Sequence, residues 1–216
     1  MRLTEARTEE VQSEGARCLA LVSDIRDERA VEDLISCTVS ELGRIDIVIN
    51  NASAARGPDR VAATELPFEV WRKVFATNVD GTFLLSRVAA RHMITQGEGG
   101  SIVNISSIAS KLAPANTAAY ASSKAAINAL SRSMALELSP HKIRVNALCP
   151  GIIDTFRMDD LGRGEKWNAF VKTMIPLGYP GDGSECAEIV LFLVTDHGKW
   201  ITGQALNVDG GTVWGN

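Results

Sequence analysis

The sequence predicts an α/β protein built on a parallel sheet covered on both faces. Two observations carry this. Short apolar runs alternate with stretches whose apolar residues recur at helical spacing, the pattern of repeated strand–helix–strand units. The runs themselves are nearly continuous Val, Ile and Leu, as strands buried on both faces require.

Taken in order, Arg17-Cys18-Leu19-Ala20-Leu21-Val22 reads as the first strand. Val31, Leu34, Ile35, Val39 and Leu42 then recur at helical spacing, and Gly43 is the stop. Ile45-Asp46-Ile47-Val48-Ile49 is a second strand, followed by a long helical region from about 67 to 93. Ser101-Ile102-Val103-Asn104-Ile105 is a third strand. A second long helix, from about 117 to 138, puts Ile127, Leu130, Met134 and Leu138 on one face. Ile143-Arg144-Val145-Asn146-Ala147-Leu148 is a fourth strand. A Gly- and Pro-containing stretch then surrounds a short helix near Glu165 to Met174. A last helix covers Glu185 to Val194, and Ala205-Leu206-Asn207-Val208 is a last short strand. No internal repeat, low-complexity tract or linker interrupts the pattern, so residues 1–216 read as one domain.

The bulk numbers exclude several classes. Of 216 residues, 45% are hydrophobic and 22% charged, as in an ordinary globular protein. A net charge of -4 argues against a nucleic-acid partner. No apolar run reaches membrane-spanning length, and the charged opening MRLTEARTEEVQSEG holds no signal-type apolar region. Cys18, Cys37, Cys149 and Cys186 are scattered, with none in a Cys-x-x-Cys pair, and there are three histidines. Reduced thiols, a cytoplasmic location and no metal site are the expectation.

In a parallel α/β sheet, ligands bind at the carboxyl ends of the strands. Those ends read Asn50-Asn51-Ala52-Ser53, Ser106-Ser107 and Cys149-Pro150-Gly151. Taken singly, each is ordinary turn chemistry. The strongest local signal is Tyr120-Ala121-Ser122-Ser123-Lys124. A tyrosine and a lysine four apart on a helix share a face. A nearby ammonium favours the phenolate, and a tyrosine so tuned passes a proton at moderate pH. Alone, the pattern reads better as a half-buried tyrosine beside an exposed lysine.

Context changes that balance. Ser107 lies thirteen positions before Tyr120 at the end of an apolar strand, and Asn78 stands upstream in Thr77-Asn78-Val79-Asp80-Gly81. Asn50-Asn51-Ala52, Pro150-Gly151 and Val208-Asp209-Gly210-Gly211 fall in order around them. In this set of motifs the chain resembles the classical branch of the short-chain dehydrogenase/reductase family, from about Gly15 to the C-terminus.

The resemblance implies a Rossmann-like doubly wound sheet and an NAD(P)-dependent oxidoreductase interconverting an alcohol and a carbonyl. Tyr120 would be the general acid/base, and Lys124 would assist it and bind the nicotinamide ribose. Ser107, rather than Ser106, would hold the substrate oxygen. Asn78 would interrupt the long helix and hold a water that links Lys124 to solvent. Asp24 and Ile25 would touch the adenine, although an acid at position 24 equally suits a helix start. Asn51 and Ala52 would lie beside the adenosine ribose. Pro150, Gly151, Ile153 and Thr155 would seat the nicotinamide. Met158 to Met174 corresponds to a lid over the substrate, in which Trp167 and Phe170 either line an apolar pocket or pack as ordinary helix aromatics. Pairing through the two long helices would give a homodimer or homotetramer.

The chain also departs from the family pattern. Ser53 and Tyr179 stand where glycine and arginine are usual. More seriously, the family opens with a strand, a glycine-rich TGxxxGxG turn, a helix and a second strand, and none of these is present. A truncated Rossmann-type domain lacking its first β-α-β unit, roughly 30 residues or more, is the expectation. The Cys18–Val22 strand should then either slide across to pair with Ile45–Ile49 or be loose. A second reading follows from the same gap: a catalytically inactive fragment that binds protein partners as a scaffold.

Overall fold

The structure is a computed structural model that describes residues 2–155 and 164–213, with side chains from residue 8 onward. Among the described residues, four parallel strands form one sheet in the order β1 (Ile47–Asn50), β2 (Gly100–Ile105), β3 (Ile143–Pro150), β4 (Ala205–Val208). The helices are α1 (Arg2–Ser13), α2 (Glu28–Leu42), α3 (Phe68–Phe75), α4 (Gly81–Gln96), α5 (Ala109–Leu112), α6 (Ala118–Leu138), α7 (Glu165–Met174) and α8 (Gly183–Val194). Every strand therefore runs the same way, and the carboxyl ends of β1, β2 and β3 lie side by side.

Side chains alternate across the sheet and build two cores. Val48, Ile102 and Val145 face one layer and pack with Val31 and Ile35 of α2, Met93 of α4 and Met134 of α6. Val103 and Leu148 face the other and pack with Leu193 of α8. The expected face of α6 is therefore the buried one, with Ile127, Met134 and Leu138 in the core. Gly43 ends α2 as expected, at φ 93, with its N–H on the Val39 carbonyl. Asp27 caps the start of α2 by accepting from the Arg29 and Ala30 N–H groups. The helix-start role considered for Asp24 thus belongs to Asp27.

The first expected strand is not one. Residues 17–22 are neither helical nor part of the sheet, and Val22 is 97% exposed. An apolar run becomes a strand only where a neighbour takes its ladder hydrogen bonds. Neither the slide onto β1 nor any other pairing supplies one among the described residues. β1 is accordingly an edge, and Ile47 and Ile49 are 46% and 47% exposed. The long helix expected at 67–93 is interrupted where the resemblance puts Asn78: α3 and α4 are joined by a π-helical turn, Ala76–Asp80, which contains it.

A buried polar chain ties this frame together. Asn50 at the end of β1 donates to Ser86 of α4 (2.8 Å) and to Asn104 of β2 (2.7 Å). Asn104 in turn donates to Ser131 of α6 (2.8 Å), whose hydroxyl donates to the Ile127 carbonyl. Every link is needed, because a buried polar group that loses its partner costs about 1–3 kcal/mol. Asn104→Ala is expected to destabilise the chain by about 2–4 kcal/mol, as the lost side chain leaves Asn50 short of an acceptor. Urea unfolding of the two proteins checks this.

Candidate active site

The carboxyl ends of β1, β2 and β3 open onto a cavity of about 750 Å³. Ser107, Tyr120 and Lys124 share its wall with Asn51, Pro150, Gly151, Ile153 and Thr155. These eight are expected site residues, drawn from four separate parts of the chain. Parallel pairing of β2 and β3 sets their relative height, with Ile105 opposite Leu148. Tyr120 and Lys124 come from the first turns of α6, one turn apart on the same face.

Lys124 departs from the ordinary reading of a Tyr-x-x-x-Lys pair, in which the lysine is exposed. It is 3% exposed, and its ammonium donates to the Ile105 carbonyl at 2.7 Å. A buried ammonium is costly unless hydrogen bonded. Here the last residue of β2 meets that need and fixes the charge 5.8 Å from the centre of the Tyr120 ring.

The two serines at the end of β2 differ in how they are used. Ser106 is buried and spends its hydroxyl proton on the Lys124 carbonyl at 3.0 Å. Ser107 accepts from the Ala109 N–H at 3.1 Å, which leaves its own O–H as a donor on the cavity wall. Asn78 does not line the cavity. It is fully buried behind it, accepts from the Ala54 N–H (2.8 Å) and donates to Ser123 (2.9 Å), the neighbour of Lys124. π-Turns inside helices are often found at functional sites. This one turns an amide inward to join the loop after β1 to α6.

The Pro150–Gly151 segment is shaped by its neighbour β4. The Gly151 N–H donates to the Val208 carbonyl, and a Cβ on Gly151 would lie 2.6 Å from the Asp209 backbone. Only glycine allows that approach.

Three expected cofactor residues lie away from the cavity wall. Asp24 is exposed, and its carboxyl pKa is lowered to about 2, chiefly by the side-chain hydrogen bond from Arg26. Ile25 packs on Gly81 with no space for a Cβ between them. Ala52 is exposed beside Asn51. Residues 158–163 of the expected lid lie outside the described residues.

A second cavity of about 360 Å³ adjoins the first, and Tyr120, Gly151 and Ile152 line both. Phe170 and Met174 of α7 form part of its wall with Val74 and Leu112. Trp167 instead packs within the α7 segment against Val171 and Ile175. Of the two lid aromatics, Phe170 is therefore the one that faces a pocket. Arg60 and Asp59 also line this cavity. Nothing in their spacing from other motifs marks them in the sequence. Among the described residues there is no cluster of three or more His, Cys, Asp or Glu side chains that could hold a metal ion.

The family model described as enoyl-(acyl carrier protein) reductase matches residues 1–213. The chain is 37% identical to the uncharacterized oxidoreductase YohF of Escherichia coli strain K12, over 96% of this chain and 80% of that protein. It superposes on the crystal structure of acetoin dehydrogenase YohF from Salmonella typhimurium with a TM-score of 0.84, at 35% identity, covering 98% of this chain and 82% of that one. A 7α-hydroxysteroid dehydrogenase solved with NADH and 7-oxo glycochenodeoxycholic acid gives a TM-score of 0.88 at 32% identity, covering 96% and 79%. With a Rossmann-like parallel sheet and relatives of this kind over nearly its whole length, the chain belongs to the short-chain dehydrogenase/reductase family of oxidoreductases.

Proposed function

We propose that this protein interconverts an alcohol and a carbonyl by NAD(P)-dependent hydride transfer, using Tyr120, Lys124, Ser107 and Asn78. The observation that carries this reading is the position of Tyr120. It stands where the 750 Å³ and 360 Å³ cavities meet, with a buried ammonium beside it. A reaction between two bound molecules needs such a junction.

The larger cavity suits a nicotinamide nucleoside. Its volume is that of an ordinary cofactor site, and its wall offers Asn51, Ser107, Lys124 and Thr155 among apolar side chains. Pro150, Gly151, Ile153 and Thr155 would seat the nicotinamide, and Lys124 its ribose. The dinucleotide, when bound, supplies or accepts the hydride. Everything else falls to the chain's own residues. Tyr120 gives a proton to the carbonyl oxygen during reduction, or takes it from the alcohol during oxidation. The Lys124 ammonium favours negative charge on the phenolic oxygen. Ser107 donates its O–H to the substrate oxygen and stabilises charge developing there. Asn78 holds Ser123 and the loop after β1 in place, so that α6 presents Lys124 and Tyr120 correctly.

The smaller cavity sets the substrate class. Its wall is largely apolar, with Val74, Leu112, Phe170 and Met174, and its volume suits a small or medium carbonyl compound. Acetoin, the substrate named for a relative of known structure, is the first compound to assay.

The inactive-scaffold reading is favoured by one observation, the open edge of β1 with exposed Ile47 and Ile49. A thermal melt separates the two. Excess NADH or NADPH is expected to raise the midpoint, since a ligand at a hundredfold excess over its dissociation constant stabilises the fold by about 2.7 kcal/mol. A cooperative melt that neither dinucleotide moves contradicts the oxidoreductase reading and supports the scaffold. Tyr120→Phe is expected to lower kcat/KM with acetoin by about 10²-fold or more while keeping the dinucleotide-induced shift. Steady-state kinetics alongside the melt check both parts.

A further inference from the structure

Arg60 reaches Tyr120 from the side opposite in sequence to Lys124, and nothing in the family pattern assigns it a role. Its guanidinium carbon lies 4.4 Å from the centre of the Tyr120 ring. That is well within the range of a cation–π contact, which strengthens as the site is desolvated. The Arg60 side chain is 26% exposed, so the contact is partly withdrawn from water.

The loop that carries it is built to hold it. The Arg60 N–H donates to the Gly57 carbonyl and closes a turn. Asp59, 3% exposed, accepts from the Gly57 N–H and lies 3.5 Å from the Arg60 Nε. That Nε is buried and has no hydrogen bond. Asp59 therefore attracts the guanidinium without fixing it, and the Tyr120 ring is the other surface on which it rests. The same loop is anchored upstream, where the Ala54 N–H donates to Asn78.

We propose that Arg60 is a positioning residue for Tyr120, a second cation that braces the phenol ring from the loop after β1. The proposal rests on the reading of Tyr120 as the proton-transfer residue. The charged groups around the ring among the described residues are Lys124 on α6, and Arg56, Asp59 and Arg60 on the loop after β1. Lys124 and Arg60 both lie within 6 Å of the ring centre. Arg60 also lines the smaller cavity, so the brace sits on the substrate side of the ring.

The test needs neither substrate nor cofactor. The chain has two tyrosines, and the second, Tyr179, is 55% exposed. In a Tyr179→Phe background, NMR of ring-labelled tyrosine reports Tyr120 alone. Arg60→Met keeps most of the aliphatic stem and removes the charge. It is expected to move the Tyr120 ring resonances and to speed flipping of the ring, with Arg60→Lys recovering at least half of the change. Thermal melts identify any variant that fails to fold, and Arg60→Lys then carries the comparison through a smaller change of its own. Tyr120 ring signals that neither variant moves overturn the proposal. Failure of the broader reading is distinguishable: a chain whose ring signals respond as expected but which binds no dinucleotide keeps the brace and loses the enzyme.

Discussion

The hydrogen bond from the Lys124 ammonium to the Ile105 carbonyl is the contact on which the rest of the site depends. A buried cation without a partner would cost several kcal/mol, and the end of β2 supplies this lysine with one. That bond helps to hold the start of α6 against the end of β2. It follows that Tyr120, one turn earlier on α6, stands at the strand ends beside Ser107. The serine before it supports the same arrangement, since Ser106 binds the Lys124 backbone carbonyl. Two consecutive residues at the end of β2 thus hold both ends of the lysine.

A second layer holds the first. Asn78 would be an ordinary helix residue if α3 and α4 were continuous. The π-turn instead directs its amide to Ser123 and to the Ala54 N–H. The loop after β1 is thereby fastened to α6, and Arg60 on that loop comes to lie against the Tyr120 ring. Farther in, Asn50, Asn104, Ser86 and Ser131 tie β1 and β2 to α4 and α6 through the core. Polar networks of this kind are stabilising only when complete, which makes the relative placement of these four elements a single property.

Much of this was legible in the sequence, for physical reasons that can be named. Strands buried on both faces need mostly apolar runs, so β2 and β3 were recognisable from composition. The face of α6 followed from the spacing of Ile127, Met134 and Leu138. Tyr120, Lys124, Ser107 and Pro150-Gly151 stood out by their order and spacing, the family resemblance added Ile153 and Thr155, and the fold brings them to one cavity. Residues 17–22 misled, because an apolar run says nothing about whether a neighbouring strand is there to bond it. The burial of Lys124 was hidden too, since it depends on a carbonyl nineteen residues earlier. Arg60 carried no signal: a cation–π contact joins residues sixty apart through a loop whose path only the fold determines.

The central claim is that the strand-end cavity holds a nicotinamide dinucleotide with its reactive ring beside Tyr120. A crystal structure of the chain grown with NADH tests it most directly. The account predicts the nicotinamide between Tyr120 and the Pro150–Thr155 segment, with its ribose within hydrogen-bond distance of Lys124. A dinucleotide seated away from Tyr120, or a cavity that takes up none at saturating concentration, would contradict it.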